Sequence, residues 1–217
     1  MNLTKLLIAA PTAIEMRALD SALKGRECKR VICGVGPAHA AFGLTAAIFE
    51  EQPDLVVLAG ICGLFKDSGN DLGTLIMASS ETFGDLGRCT GYDVEPIEIG
   101  GKALEIHFDL EPHLAALSLD ALMEQLEIVT GPMVTVSCTS ASEGRRLLGD
   151  EAQGFLGENM EGAAAAMVCS RLGLPFLELR GASNFVGDQN KAKWRTNLAL
   201  ERVSAAIAPL LEHIGMI

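Results

Sequence analysis

Short, mainly apolar runs alternate along this chain with longer segments in which apolar and polar residues are mixed. The apolar runs have the length of strands that are buried in a sheet, and the mixed segments have the length of helices. The predicted strands span 6–10, 30–33, 55–59, 74–83, 128–137 and 176–179. The predicted helices span 15–23, 37–51, 112–126, 142–153, 161–172 and 191–214, and a loop or hairpin region covers 88–108. This alternation predicts an α/β protein with a mixed, largely parallel central sheet wrapped by helices, as a single domain over 1–217.

Polar side chains stand where three of the predicted strands end. Glu15 lies in the first turn of the helix after the first strand, residues 60–63 follow the third strand, and Ser183 and Asn184 follow the last one. Ligands of such sheets bind beyond the carboxyl ends of the strands. Glu161 begins a helix, where the partial positive charge of the N-terminus favours a carboxylate. Each residue alone is more often a cap or a turn residue, but together they are candidates for chemistry.

Composition narrows the class of protein. The net charge is −11 and no basic block is present, which argues against nucleic-acid binding. The first apolar run is too short for a signal peptide, and no apolar run has the length of a membrane span. Six scattered cysteines without CxxC or metal-ligand spacing predict a cytoplasmic protein without a metal site. The Gly34-Val35-Gly36 motif lacks the third glycine and the acidic partner of a dinucleotide site, so no cofactor is expected.

Several short motifs follow one another along the chain: Ala13-Ile14-Glu15, Gly34-Val35-Gly36, Ala59-Gly60-Ile61-Cys62-Gly63, Asn159-Met160-Glu161-Gly162 and Arg180-Gly181-Ala182-Ser183-Asn184. Together they resemble the purine nucleoside phosphorylase and nucleosidase superfamily over nearly the whole chain. This resemblance implies a nucleoside phosphorylase-like fold, a purine nucleoside substrate, and a homo-oligomer in which a neighbouring subunit's loop closes the site. Within the superfamily, residues 158–162, 183–188 and 193–194 look most like those of futalosine hydrolases. Those enzymes cleave futalosine to hypoxanthine and dehypoxanthine futalosine in a menaquinone route.

The resemblance also implies roles for single residues. Glu15 would position and deprotonate the attacking water, and Glu161 would bind the ribose hydroxyls. Asn184 would assist the leaving base as the third catalytic residue. The substrate contacts implied by the resemblance come from Ile61, Cys62, Gly63, Asn159, Met160, Ser183 and Trp194.

The amide at position 184 departs from superfamily members that act on adenine nucleosides, which carry aspartate there. An amide offers an NH2 donor and a C=O acceptor at once, so it can serve both a 6-oxo group and a protonated N7. A site built around one polar pattern leaves its own groups unpaired with the wrong ligand. Asn184 therefore predicts hypoxanthine as the leaving base, and Asp188 is interpreted as a loop charge.

Positions 58 and 61 depart from the phosphorylases, which bind phosphate there with an arginine and a serine. Leu58 and Ile61 supply neither a charge nor a hydroxyl, and burying a phosphate dianion without a cation is costly. Water is therefore the predicted nucleophile, and a hydrolase is the predicted class of enzyme.

Other functions remain open at this point. A methylthioadenosine or S-adenosylhomocysteine nucleosidase, or another purine nucleosidase, fits the same motifs apart from Asn184. A nucleoside-binding protein without turnover would not need Glu15. The resemblance also implies a substrate with a benzoate, which needs a cation near it in an acidic protein. The candidates for that cation are Arg88, Arg145, Arg146 and Arg195.

Overall fold

A computed structural model of the chain describes residues 3–91, 93–140 and 154–215. The strands are β1 (Leu6–Ala10), β2 (Lys29–Ile32), β3 (Leu55–Leu64), β4 (Leu75–Phe83), β5 (Arg88–Thr90), β6 (Asp93–Glu95), β7 (Glu98–Ile99), β8 (Lys102–Ala103), β9 (His107–Asp109), β10 (Ile128–Thr135), β11 (Gly157–Asn159) and β12 (Phe176–Phe185). The helices are α1 (Ala13–Ala18), α2 (Pro37–Glu51), α3 (Glu111–Ala116), α4 (Asp120–Gln125), α5 (Gly162–Leu172) and α6 (Thr196–His213), and 3-10 turns cover Lys66–Ser68 and Lys191–Lys193. The predicted helix at 142–153 lies outside the described residues.

The main sheet has the order β11-β10-β4-β12-β3-β1-β2, and β9 pairs with β4. Its pairings are parallel for β2–β1, β1–β3, β3–β12, β4–β10 and β10–β11, and antiparallel for β12–β4, β3–β11 and β4–β9. Because β11 pairs with both β10 and β3, the five strands β11, β10, β4, β12 and β3 form a closed ring. The predicted mixed, largely parallel α/β sheet is confirmed.

The strands β3 and β12 are longer than predicted, and this changes the local structure of the expected site. Residues 60–63 continue β3 instead of forming a loop, because they pair with residues 180–184 of β12. A register shift between Ala182 and Asn184 bends the end of β12. Gly60 permits this course, since a Cβ there would lie 2.7 Å from Glu15 Oε1. The prediction that these residues follow the strands is therefore wrong, and the site is built on strand ends.

Two apolar layers cover the sheet. In β1, Leu6, Ile8 and Ala10 face the cluster formed with α1, α3, α4 and α6. Leu7 and Ala9 face the opposite cluster, formed with α2 and α5. Both faces of a central strand are thus buried, which explains why the run carries no polar alternation.

Several helices differ from the predicted bounds. α1 ends at Ala18, and the predicted helix 112–126 is divided into α3 and α4, with Ser118 at φ 52° between them. A left-handed residue cannot continue a right-handed helix, which accounts for the division. α6 begins at Thr196, so Trp194 lies before it. The 88–108 region contains the hairpins β5–β6 and β7–β8, as expected for a loop or hairpin segment.

Among the helices of the described ranges, none is both long enough and apolar enough to cross a membrane. The described residues likewise contain no cluster of three or more potential metal-ligating side chains.

Candidate active site

Glu15 is held at the end of β1 by the start of α1. Thr12 is the N-cap of α1, and its hydroxyl accepts from the Glu15 N–H at 3.2 Å and donates to Glu15 Oε2 at 2.6 Å. The N–H of Ile61 in β3 donates to Oε1 at 3.1 Å. The carboxyl group is 6% exposed, so it is fixed by two donors and nearly closed off from bulk water.

Glu161 is held at the N-terminus of α5. Its Oε1 accepts from the Gly36 N–H at 3.1 Å, and its Oε2 accepts from Arg180 Nη1 at 3.2 Å. Gly36 lies at φ 87°, a left-handed conformation that glycine adopts without strain. Residues distant in sequence therefore converge on one carboxylate.

Arg180 lies between the two predicted carboxylates. Its Nη1 also donates to the Ile61 carbonyl at 3.3 Å, its Nε to Glu178 Oε1 at 2.7 Å, and its Nη2 to Asn159 Oδ1 at 3.3 Å. A Cβ placed on Gly60 would lie 2.7 Å from Glu15 Oε1 and 2.9 Å from Arg180 Nη1, so these two groups approach the same side of Gly60. The prediction that Glu15 and Glu161 share one site is therefore supported by a guanidinium next to both.

The buried charges around Arg180 were missed by the sequence reasoning. Glu178 and Arg180 are 0% and 1% exposed, and Glu81 of β4 is also 0% exposed. A signal for them was present, because Glu178 and Arg180 are spaced two residues apart in an otherwise apolar run. That spacing puts both side chains on one face of a buried strand, where charges must be paired.

Asn159 is placed differently from its predicted role. Its Oδ1 accepts from the N–H groups of Glu161 at 2.9 Å and Gly162 at 2.7 Å, and its Nδ2 donates to Glu81. The side chain is 4% exposed and its amide is occupied by protein groups. We therefore correct the prediction of a substrate contact: Asn159 holds the first residues of α5, and with them Glu161.

Ser183 and Asn184 form the end of β12. The Ser183 hydroxyl lies 2.7 Å from Asn184 Oδ1 and 3.1 Å from the Cys62 carbonyl, and can donate to either. Asn184 Nδ2 donates to the Phe185 carbonyl at 3.1 Å. These contacts define which end of the Asn184 amide is oxygen, and the half-buried amide keeps one N–H and one lone pair for a ligand.

The Ile61–Gly63 segment meets the predicted site mainly through its backbone. Both backbone groups of Ile61 are used, since its N–H binds Glu15 and its carbonyl binds Arg180. Cys62 turns its side chain into the core, at 3% exposure, and Gly63 pairs with Asn184 across the two strands. The Cys62 side chain therefore packs in the core, and any contact of Cys62 with a substrate would come from its backbone. Ile61 and Met160 are half-buried and available to line a ligand.

Trp194 packs in the segment between β12 and α6. Its indole N–H donates to the Asp188 carbonyl at 2.9 Å, and Lys191 Nζ lies 5.9 Å from its ring centroid. The N–H of the next residue, Arg195, donates to the Ser183 carbonyl at 2.6 Å, which ties the segment to the end of β12. Asp188 Oδ1 accepts from the Asn190 N–H, in keeping with a loop charge.

The four arginines that were predicted as candidates to bind the substrate's acidic end lie in different places. Arg88 pairs with Glu95 in the exposed β5–β6 hairpin. Arg145 and Arg146 lie outside the described residues. Arg195 has an exposed side chain next to the end of β12, so it is the described residue on which that prediction now depends.

Burial shapes the electrostatics of the site. Burial raises the pKa of Glu15, and the hydrogen bond from Thr12 and the charge of Arg180 offset this only in part. Burial alone would lower the pKa of Arg180, but the carboxylates of Glu178 and Glu161 outweigh it and raise that pKa. Burial, followed by the charge of Glu161, raises the pKa of Cys33 to about 12, so this thiol is neutral.

Comparison with known proteins identifies the family to which the chain belongs. The model of the phosphorylase superfamily matches residues 19–212, and the chain belongs to that superfamily. Among curated proteins, it is 34% identical over 187 residues to futalosine hydrolase of Streptomyces coelicolor, covering 82% of this chain and 77% of the relative. It is 29% identical over 221 residues to futalosine hydrolase of Thermus thermophilus, covering 96% of each. A solved structure of a putative 5'-methylthioadenosine/S-adenosylhomocysteine nucleosidase from Francisella philomiragia has a TM-score of 0.79 and 19% identity, covering 96% of this chain and 98% of the other.

Proposed function

We propose that this protein is a futalosine hydrolase, which cleaves the N-glycosidic bond of futalosine and releases hypoxanthine. The observation that carries the proposal is the convergence of Glu15 and Glu161 on Arg180, with the amide of Asn184 at the end of the same strand. The similarity to two futalosine hydrolases over most of the chain supports the choice of substrate. By resemblance, the reaction belongs to menaquinone biosynthesis.

Glu15 acts as the general base. Thr12 and Ile61 each donate to one of its oxygens, which leaves a lone pair on each oxygen that can accept from a water molecule. Because the pKa of Glu15 is raised by burial, its carboxylate is a stronger base than an exposed glutamate near neutral pH. The water that it deprotonates attacks the anomeric carbon as the purine leaves.

Glu161 binds the sugar. Its oxygens accept from Gly36 and Arg180, and each oxygen keeps a lone pair that can accept from a ribose hydroxyl. A fixed carboxylate in a site of low dielectric stabilises the positive charge that develops on an oxocarbenium-like sugar. Asn184 hydrogen-bonds the departing 6-oxopurine with its free N–H and lone pair.

Cleavage should be independent of phosphate. Leu58 and Ile61 carry no charge, and Arg180, the cation at the centre of the site, already donates to Glu161 and Glu178. Next to Arg180, a phosphate dianion would meet the carboxylates of Glu161 and Glu178, and this guanidinium is already paired with both. We expect free hypoxanthine to appear from futalosine at a rate that phosphate does not increase at constant ionic strength.

The assay uses a nucleoside panel of futalosine, inosine, methylthioadenosine and S-adenosylhomocysteine, with and without phosphate. Adenine release from methylthioadenosine that exceeds hypoxanthine release from futalosine would assign the alternative nucleosidase. Binding without release of any base would assign a nucleoside-binding protein. A sugar phosphate among the products would contradict hydrolysis.

We further propose a homo-oligomer that uses the face around β2 and α2. Phe42 and Phe49 lie seven positions apart on α2 and are 79% and 68% exposed, and Ile32 of the edge strand β2 is 53% exposed. Exposed apolar side chains in such a group are typical of association surfaces. Val35 adjoins Gly36, which binds Glu161, so this face reaches the site.

Replacing both phenylalanines, Phe42→Asp with Phe49→Asp, should convert the oligomer to a monomer in sedimentation velocity. The charge would be buried without a partner in the interface, which is costly. Ile99→Asp, at a similarly exposed apolar position in the β7–β8 hairpin, should leave the mass unchanged. A monomeric wild type, or an oligomeric double variant, would contradict this interface.

A cytoplasmic location is part of the same proposal. The six cysteines lie in the described residues as thiols and not as disulfides, and Cys89 and Cys138 are exposed. Free thiols fit a reducing compartment. Fractionation of the source cells checks the location, and recovery with an extracytoplasmic fraction would contradict it.

A further inference from the structure

Glu81 and Glu178 place their carboxyl groups against each other in the interior. Both side chains are 0% exposed. A Cβ on Gly162 would lie 2.1 Å from Glu81 Oε1 and 2.5 Å from each oxygen of Glu178, so these three oxygens surround one small volume. Two carboxylates this close in a medium of low dielectric cannot both stay ionised at little cost.

The hydrogen bonds of the pair leave one oxygen without a donor. Glu81 Oε2 accepts from Thr135 Oγ1 at 2.7 Å, and Oε1 accepts from Asn159 Nδ2 at 2.5 Å. Glu178 Oε1 accepts from Arg180 Nε at 2.7 Å. Glu178 Oε2 has no donor among the described residues. A proton between the two carboxyl groups would supply the missing donor.

The charges around Glu81 and Glu178 favour one proton bound to this pair of carboxyl groups. Burial raises the pKa of Glu81 well above its ordinary value, and the charge of Glu178 raises it further. Burial also raises the pKa of Glu178, whereas Arg180 lowers it. The Cys62 thiol of β3 faces the same cluster and is neutral, since burial raises its pKa to about 12. Glu161, from the start of α5, adds a further negative charge next to Arg180.

We propose that Glu81 and Glu178 share one proton, and that this pair positions Glu161 for its role in the proposed reaction. Two connections lead from the pair to Glu161. Glu178 aligns Arg180, whose Nη1 binds Glu161 Oε2. Glu81 holds Asn159, whose Oδ1 receives the Glu161 N–H. Glu81 and Glu178 are positioning residues, because they act through Arg180 and Asn159.

The shared proton limits the negative charge around Arg180. With the proton in place, Arg180 is balanced by Glu178 and Glu161. Without it, Glu81 would add a second buried anion on the Glu178 side, which would compete with Glu161 for the guanidinium and weaken the contact at 3.2 Å. The shared proton does not depend on the proposed function, whereas the positioning of Glu161 for the reaction does.

Difference infrared spectroscopy detects the proton without any substrate. At about pH 8, where an ordinary glutamate is ionised, the wild type should show the carbonyl band of a protonated carboxylic acid, and Glu81→Gln should lose it. Glu105→Gln should keep the band. Glu105 pairs with Arg171 at the surface, so it is ionised at this pH and does not share a proton with a second carboxyl group in that pair. Absence of the band from the wild type, or its survival in Glu81→Gln, would overturn the shared proton.

Turnover of the active nucleoside then tests the positioning. Glu81→Gln leaves a single acceptor for the two donors that Glu81 serves, Asn159 Nδ2 and Thr135 Oγ1, so Asn159 is held less firmly and kcat/KM should fall by at least about threefold. Glu178→Gln removes the anion that aligns Arg180, so kcat/KM should fall by at least about tenfold. Near-wild-type kcat/KM in either variant would overturn the positioning role of that residue even if the infrared band behaves as expected. If no nucleoside is cleaved, the proposed function fails, while the infrared result still decides the proton.

Discussion

Glu15→Gln is expected to lower kcat for N-glycosidic cleavage by about 10²–10⁴-fold, the usual contribution of a general base. The amide oxygen can still accept from the Ile61 N–H, and the amide NH2 can donate to the Thr12 hydroxyl in the reverse direction, but the amide cannot take a proton from water. Because the shape is kept and both contacts can still be hydrogen bonds, the melting temperature should change little. Steady-state kinetics with the wild-type substrate measure the effect.

Asp54→Asn is the matched control for this variant. Asp54 accepts from the hydroxyl and the N–H of Thr4 and from the N–H of Lys5, so it is also a hydrogen-bonded carboxylate, but it lies at the surface before β3. Its replacement should leave kcat within about twofold, as for a surface substitution. Near-normal turnover by Glu15→Gln would exclude Glu15 as the base.

The dependence of activity on pH gives a second test of Glu15 as the general base. The base must be ionised to act, and the pKa of Glu15 is raised above its ordinary value of 4.5. Activity should therefore fall as the pH decreases through a value above 4.5, and the acidic limb should disappear in Glu15→Gln. An acidic limb that is unchanged in the variant would assign it to another group.

Asn184→Asp is expected to lower hypoxanthine release by about 100-fold or more, because hydrogen-bonding sites discriminate strongly against a wrong polar pattern. Nδ2 of Asn184 donates to the Phe185 carbonyl, and Oδ1 lies against the Ser183 hydroxyl. An aspartate in the same place would put a carboxylate oxygen against the Phe185 carbonyl unless it binds a proton. A protonated aspartate could still donate to N7 of an aminopurine, so relative release of adenine should increase.

The comparison uses inosine and adenosine, which differ in the 6-substituent of the base. Asn190→Asp is the control, since Asn190 caps the Lys191–Lys193 turn through its Oδ1, and aspartate can accept the same hydrogen bond. It should not change the ratio of the two rates. An unchanged ratio in Asn184→Asp would show that the base is selected elsewhere.

The sequence was sufficient to predict the elements whose signals are local. Pro37 at the first helical position and a uniformly apolar run at 6–10 predicted α2 and β1 with the bounds that the structure has. The ends of β3 and β12 were not predictable in this way, because glycines normally indicate turns. In this protein the glycines instead let the two strands and the Glu15 side chain approach closely. That approach depends on pairing between residues about 120 positions apart in sequence.

In the candidate site, too, the features that depend on long-range contacts could not be predicted from the sequence. Placement of residues at strand ends predicted that Glu15 and Glu161 share one site, and in the structure both carboxylates lie near Arg180. The sequence could not indicate that Asn159 and the Cys62 side chain face protein groups, since that is decided by long-range partners such as Glu81. Glu178 was read as part of an apolar strand, and its charge becomes meaningful only when Arg180 and Glu81 are known to be its neighbours.

The position of β12 has a consequence for synthesis of the chain on the ribosome. β12 is the last strand in sequence, yet it lies between β3 and β4 in the sheet. Until residues 176–185 have emerged, β3 and β4 each lack a neighbour and offer free backbone groups for association with other chains. Folding must therefore wait for distant segments to meet, which makes it slow and exposes the nascent chain to aggregation. The same insertion brings Arg180 to the carboxylates, so the candidate site cannot be assembled before β12 has paired.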